Sequence, residues 1–216
     1  MAFEVLDEHE QGELVQKWLR ENVFTILIGV GIGLILIFGW QQWHAHRAQR
    51  NVEAATQFEV LAGDADKKDY DAVKQIAAKL EADYAATPYA ALAAMREAEL
   101  AVQRADLETA RASLDWAYQH AAVDALKALA GIRLARVELA RTKAQSALDI
   151  LDHLPVSAYT SQIGELRGDA LVALGRKDEA RAAYQDALAN LDPNAPNRAF
   201  VQMKLNDLGS AEAKGS

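Results

Sequence analysis

The sequence predicts an all-α protein, with a single N-terminal transmembrane helix followed by an α-solenoid of about four helix pairs and a capping helix. Three observations carry this. An uncharged apolar run lies near the N-terminus. All four prolines (Pro88, Pro155, Pro193 and Pro196) fall in gaps between apolar-periodic segments, away from helix interiors where proline costs ~3 kcal/mol. Polar turns followed by an alanine recur along the rest of the chain, and no stretch alternates with the period of a strand.

The run Val23 to Trp40 reads VFTILIGVGIGLILIFGW. At ~1.5 Å per residue its 18 residues span roughly 27 Å as a helix, close to a bilayer's hydrocarbon core. Trp18 lies on one side, Trp40 and Trp43 on the other, where amphipathic rings favour the headgroup zone. A cleaved signal peptide is the first alternative. It would begin with a short basic segment and end at a small-residue cleavage site. Here the preceding 22 residues hold six acidic side chains against Lys17 and Arg20, and the run ends in WQQWHAHR. A buried core helix is the second alternative, but nothing else in the chain is apolar enough to surround it. Residues 1–22 are therefore an acidic tail whose Glu13–Glu21 part leads into the membrane as helix. Residues 23–43 form the anchor, and His44 to Gln57 continues the helix.

The remaining residues, about 170, suffice for one domain with a real core. Hydrophobic residues make up 51% of the chain, but 44 of them are alanine, so burial energy must come from Leu, Ile, Val and the aromatics. Net charge is −8 with no basic patch, which excludes nucleic acid as a partner class. The absence of cysteine excludes disulfides, a lipidated cysteine and cysteine-ligated metals.

From about residue 51 the helices come in pairs. Thr87-Pro88 reads as a helix start, with a capping hydroxyl before proline at the first helical position. Gly175 and Asp192-Pro193-Asn194 read as helix ends. The second helix of each pair begins with a polar turn and reaches Ala72, Ala110, Ala147 or Ala180, spaced 38, 37 and 33 residues apart. A period near 34 built from two helices is the signature of a tetratricopeptide-type solenoid. In the last repeat Ala180, Tyr184, Ala187 and Leu188 share one helix face. Small residues are needed where paired helices cross, and Ala98, Ala135 and Gly168 supply them. Val60 stands there in the first repeat, the poorest match. Leu126, Leu129, Ile132 and Leu139 are joined by Leu134 and Val137 on another side, as expected of an inner layer packed on two faces. Phe200, Val201, Leu205 and Leu208 would close the stack, and 209–216 would be a disordered tail.

No constellation for chemistry emerges, so the expectation is a protein that is not an enzyme and has no catalytic, metal or cofactor site. GVGIG in the anchor lacks the spacing and preceding strand of a phosphate loop. Gly29 and Gly33 form GxxxG, which permits close helix approach, although glycine is common in such helices anyway. His44 and His46, two apart on a helix, do not face one metal. Arg133, Arg136 and Arg167 lie in otherwise apolar helices. Either their stems cover the core while their heads pair with Asp169 or Glu138, or they belong to a binding surface.

Taken together the residues resemble the YfgM family, the ancillary subunit of the bacterial SecYEG translocon. The most specific pieces are IRLARVEL at 132–139, LRGDALVALGRKDEARAAYQDAL at 166–188 and VQMKLNDL at 201–208, in that order behind one anchor. The stretch 58–86 is only generically similar. The resemblance implies an inner-membrane protein with its tail (1–22) in the cytosol and its repeat domain (44–208) in the periplasm. It implies association with the SecYEG translocon and a membrane-anchored periplasmic prolyl-isomerase-type chaperone, and a role in passing exported client proteins to chaperones. Charge bias is nearly tied, with Lys17 and Arg20 before the anchor and Arg47 and Arg50 after it, so orientation follows the resemblance alone. A scaffold for an envelope or division complex, and an enzyme with a cryptic carboxylate site, are the competing classes.

The inner helix of each tetratricopeptide pair lines the concave face. Counting from the aligned alanines places Met95, Glu99, Val102, Leu129, Ile132, Arg136, Leu139, Glu165, Asp169 and Val172 on that face as a partner-binding groove. The competing expectation is that Leu129, Ile132 and Leu139 only pack repeat against repeat.

Overall fold

The computed structural model describes residues 8–155 and 159–213. Among these residues every regular element is an α-helix: α1 (Glu8–Asp66), α2 (Tyr70–Tyr84), α3 (Pro88–Gln103), α4 (Leu107–His120), α5 (Asp124–Ala140), α6 (Ala144–Asp152), α7 (Thr160–Ala173), α8 (Lys177–Ala189) and α9 (Arg198–Ala213). The chain divides into two units between Gln49 and Arg50.

In the first unit, α1 contains the segment long and apolar enough to cross a membrane, and none of its described side chains is buried by protein. Phe24, Leu27, Ile35, Leu36 and Phe38 are all exposed. This segment is therefore no core helix of the chain itself, and its length and composition suit a membrane crossing. At its end Trp40, Trp43 and His44 cluster, with ring centroids 4.5 to 5.5 Å apart, and the Arg47 guanidinium lies 4.6 Å from the Trp43 ring. His44 is thus an aromatic neighbour of Trp40 and Trp43.

In the second unit, the end of α1 shares a core cluster with α2, then α3 pairs with α4, α5 with α6 and α7 with α8, and α9 packs on α8. Each first helix also touches the next one, α3 to α5 and α5 to α7. Helix α5 shows the consequence. Ala130, Leu134 and Val137 enter one core cluster with α3 and α4, while Ile132 and Ala135 enter another with α6, α7 and α8.

Within each pair the connection is three residues long and follows one design. Its middle residue has a positive φ: Lys68 (58°), Ala105 (60°), Thr142 (60°) and Gly175 (76°). The following amide donates to the carbonyl five residues back: Asp69 to Asp64, Asp106 to Ala101, Lys143 to Glu138 and Arg176 to Leu171. The middle amide donates to the carbonyl three back. This is a Schellman motif, which satisfies the orphan carbonyls at the helix end. In the first two turns the aspartate also caps the next helix, with Asp69 accepting from the Ala72 amide and Asp106 from the Thr109 amide, each at 3.1 Å.

These turns correct the register of the first repeat. Ala110, Ala147 and Ala180 each lie five residues past the positive-φ residue, and the residue five past Lys68 is Val73, not Ala72. The partner position moves accordingly from Val60, which is 51% exposed, to Leu61, which is fully buried. The helix crossings then pair by size. Leu61 shares a core cluster with Ala77, Ala98 with Leu114, Ala135 with Leu151, and Gly168 with Tyr184. The smaller one residue is, the larger its counterpart, as close packing at constant helix spacing demands.

Three further expectations change. Thr87 precedes Pro88 at the start of α3, but its hydroxyl donates backward to the Tyr84 carbonyl at 2.8 Å and caps nothing. Phe200 does not close the stack. It is 50% exposed, whereas Val201 and Leu208 are buried. Helix α9 runs on to Ala213, so 209–213 is helical, and residues 214–216 lie outside the described residues.

Candidate partner-binding site

A cavity of about 430 Å³ opens between α3, α4 and α5. Met95, Ala98 and Val102 of α3, Leu107 and Leu114 of α4, and Val137 and Ala140 of α5 form its apolar wall. Glu99, Gln103, Arg133 and Arg136 add the polar groups. Four of the ten groove residues expected from the sequence therefore meet here: Met95, Glu99, Val102 and Arg136.

The other six do not line this cavity. Ile132 is buried, and Leu129 and Leu139 are half-buried against the cores on either side. Glu165 and Asp169 belong to a separate cluster closed by α9. The Lys204 ammonium donates to Glu165 at 2.8 Å and to both Asp169 oxygens at 2.7 and 2.8 Å. The Tyr184 hydroxyl donates to Asp169 at 2.7 Å. Burial and then this hydrogen bond to a carboxylate push the Tyr184 phenol far above its ordinary pKa. Val172 is exposed on α7.

Counting one stripe along the first helices misses Arg133, Val137 and Ala140, which lie on a neighbouring stripe of α5, and the whole contribution of α4. The signal was present: Arg133, Arg136, Val137 and Ala140 follow the i, i+3, i+4, i+7 spacing of one helix face.

The arginines also pair differently from expectation. Glu138 is held by Arg111 (Nε to Oε1, 3.0 Å) and Arg141 (Nη1 to Oε1, 3.0 Å), and Asp169 by Lys204. Arg167 bridges to Asp152 at 2.6 Å, leaving its own buried Nε without a hydrogen-bond partner. Arg133 and Arg136 have no ion-pair partner among the described residues. Glu99, the carboxylate beside them in the cavity, is engaged by Arg96 at 2.9 Å.

A pair of carboxylates at the α2–α3–α4 junction is perturbed. Burial first, and then the charge of Glu97, raise the Glu81 carboxyl to about 7, partly opposed by His120. Burial also raises Glu97, against a 3.0 Å hydrogen bond from the Ser113 hydroxyl and the charge of Lys74. Glu97 borders a cleft of about 130 Å³, but Glu81 does not. The consequence is a pH dependence of stability. A carboxyl whose pKa is higher in the fold than in the unfolded chain stabilises the fold fully below its ordinary value of 4.5. That contribution is lost as pH rises through about 7. Glu81→Gln should therefore stabilise the protein by ~1 kcal/mol at pH 8, once solvent screening of a half-buried group is allowed for, and progressively less toward pH 5. Melting curves at both pH values test this, and an equal shift at the two would dismiss it.

The fold and cavity define a tetratricopeptide-type helical solenoid behind an apolar helix. Comparison with known proteins agrees: the family model described as "Tetratricopeptide repeat-like domain" matches residues 16–210. The chain is 31% identical over 205 residues to the Ancillary SecYEG translocon subunit of Escherichia coli (strain K12), covering 94% of this chain and 97% of the relative. It is 26% identical over 208 residues to the protein of the same name from Haemophilus influenzae, covering 96% and 100%. It is 29% identical over 197 residues to that from Neisseria gonorrhoeae, covering 89% of each. The chain belongs to the family of ancillary SecYEG translocon subunits, the YfgM family. All three relatives are named as translocon subunits. This chain itself has, among its described residues, one helix long and apolar enough to cross a membrane.

Proposed function

We propose that the protein is a non-catalytic accessory subunit of the Sec translocon that links exported chains emerging at the inner membrane to periplasmic chaperones. In this reading residues 1–22 are cytosolic, 23–43 cross the membrane and 44–208 form the periplasmic repeat domain. The partners are SecYEG, a membrane-anchored prolyl-isomerase-type chaperone, exported clients and the lipid around the anchor. The observation that carries the reading is the end-to-end match to translocon subunits, at 94% of this chain and 97% of the relative. Physical chemistry supplies the rationale. An anchor raises the effective concentration of the domain near the exit pore, and a solenoid offers an extended surface for partners. The contact surface is the face of the first helices, where Met95, Glu99, Val102 and Arg136 share one cavity.

Co-purification of the tagged full chain in mild detergent tests this. Translocon subunits together with a prolyl-isomerase-type chaperone are the expected partners. Recovery of envelope or division proteins without the translocon would replace the reading by that of a scaffold. A C-terminal reporter active only in the cytosol would reverse the orientation.

A further inference from the structure

We propose that the cavity between α3, α4 and α5 is a clamp for a short peptide segment carrying a carboxylate beside a large apolar side chain. This rests on the reading of the repeat domain as a partner-binding module and names the chemistry its partner must present.

The argument is one of charge complementarity over an apolar floor. Met95, Val102, Leu114 and Val137 make a wall that water wets poorly and an aliphatic or aromatic side chain would fill. At about 430 Å³ the cavity falls in the ~300–1,000 Å³ range of ligand pockets, too small for a folded domain. Arg133 and Arg136 stand three residues apart on α5, so their side chains lie on adjacent parts of one helix face.

What sets these two arginines apart is their lack of partners. Elsewhere among the described residues of the repeat domain Arg96, Arg111, Arg141, Arg167, Arg176 and Arg181 each bind a carboxylate, Arg50 and Arg198 donate to backbone carbonyls, and Arg104 lies over the Tyr70 ring. The chain has 31 acidic residues against 23 basic ones, so two arginines with neither a carboxylate, a carbonyl nor a ring among the described residues run against its composition. The nearby Glu99 is already held by Arg96. Two guanidiniums beside an apolar wall leave planar, outward donor sets that match a carboxylate. A basic peptide would meet repulsion, and a purely apolar one would leave the guanidiniums unpaired.

The test uses the full chain in detergent micelles and an array of short synthetic peptides of varied acidic, basic and apolar content, with fluorescence anisotropy on the strongest binders. Binding should require a Glu or Asp together with a large apolar residue. It should weaken about tenfold when the peptide acid becomes its amide, and about tenfold in Arg136→Gln or in Arg133→Gln with Arg136→Gln. In the doubly substituted protein, changing the peptide acid to its amide should have little further effect, because the two changes remove one interaction. Val102→Asp should also weaken binding by placing a charge on the wall. Arg136 is exposed, so Arg136→Gln should melt as the parent does and keeps the test valid even if Arg133→Gln unfolds. No binding to any acidic-apolar peptide, equal binding of acid and amide forms, or binding unchanged in Arg136→Gln would each overturn the clamp. Co-purification with the translocon reads out the broader function separately, so loss of one without the other tells the two ideas apart.

Discussion

Gly168→Ala is expected to lower the stability of the repeat domain by ~2–3 kcal/mol, opposite in sign to what helix propensity gives. A glycine inside an exposed helix normally gains ~1 kcal/mol on becoming alanine. At Gly168 the new methyl group would collide with the ring of Tyr184 at Cδ1, Cε1 and Cζ. That ring has no room to retreat. Tyr184 is only 2% exposed, and its hydroxyl is tied to Asp169, which is itself tied to Lys204 of α9. The helix crossing must open or the ring must leave its network. Gly63, which a methyl group would leave in open space, is the control: Gly63→Ala should be neutral or stabilising. The size pairing at the crossings predicts a rescue. Gly168→Ala combined with Tyr184→Leu recreates the Ala135–Leu151 pair of the preceding repeat and should recover part of the loss. Denaturant unfolding followed by circular dichroism measures all three. A melting temperature of Gly168→Ala at or above that of the parent would show that the crossing is not close-packed.

Glu138→Ala is expected to cost ~2–3 kcal/mol, because it removes the buried carboxylate on which the charged hydrogen bonds of Arg111 and Arg141 converge. Glu138 is 4% exposed, a carboxylate inside the stack, and it is held by Arg111 on α4 and by Arg141 in the following turn. Arg141 also reaches Glu108 at 2.7 Å, so the network ties two successive intra-pair turns together. The Glu138 backbone carbonyl accepts the Lys143 amide of the Schellman motif, so side chain and main chain of Glu138 both anchor this turn. Arg111→Ala should cost much less, since Arg111 is 43% exposed and Arg141 still covers the carboxylate. If Arg111→Ala proved as damaging as Glu138→Ala, the arginine stem rather than the buried charge would be the element that matters.

The cavity was half legible in the sequence, and the reason is geometric. Periodicity along one helix identifies a face, and it placed Met95, Glu99, Val102 and Arg136 where the structure puts them. It carries no information on which stripe of the next helix completes a wall. Arg133 was therefore singled out only as one of three arginines in apolar helices, Val137 and Ala140 were missed beside Arg136, and Leu107 and Leu114 of α4 were missed altogether. Glu165 and Asp169 fit the same periodic rule, but α9 folds Lys204 over them, a contact 35 residues away in the chain for Asp169. The first repeat shows a related failure. Aligning alanines favours Ala72 and Val60, whereas the backbone of the turn, with Lys68 at positive φ, makes Val73 and Leu61 the equivalents.

What the sequence by itself determined is whatever depends on local composition and period. The uncharged run from Val23 to Trp40, the helices without an internal proline, their pairing and the solenoid period are all of this kind. The tertiary structure alone decided which charges neutralise one another, which apolar residues are spent between repeats, and that Arg133 and Arg136 have no partner among the described residues while Arg50, Arg104 and Arg198 find carbonyls or a ring. Those outcomes depend on helices from different repeats meeting at one point. A single chain of letters encodes the faces the helices present but not the distances between them, and packing and ion pairing are decided by distance.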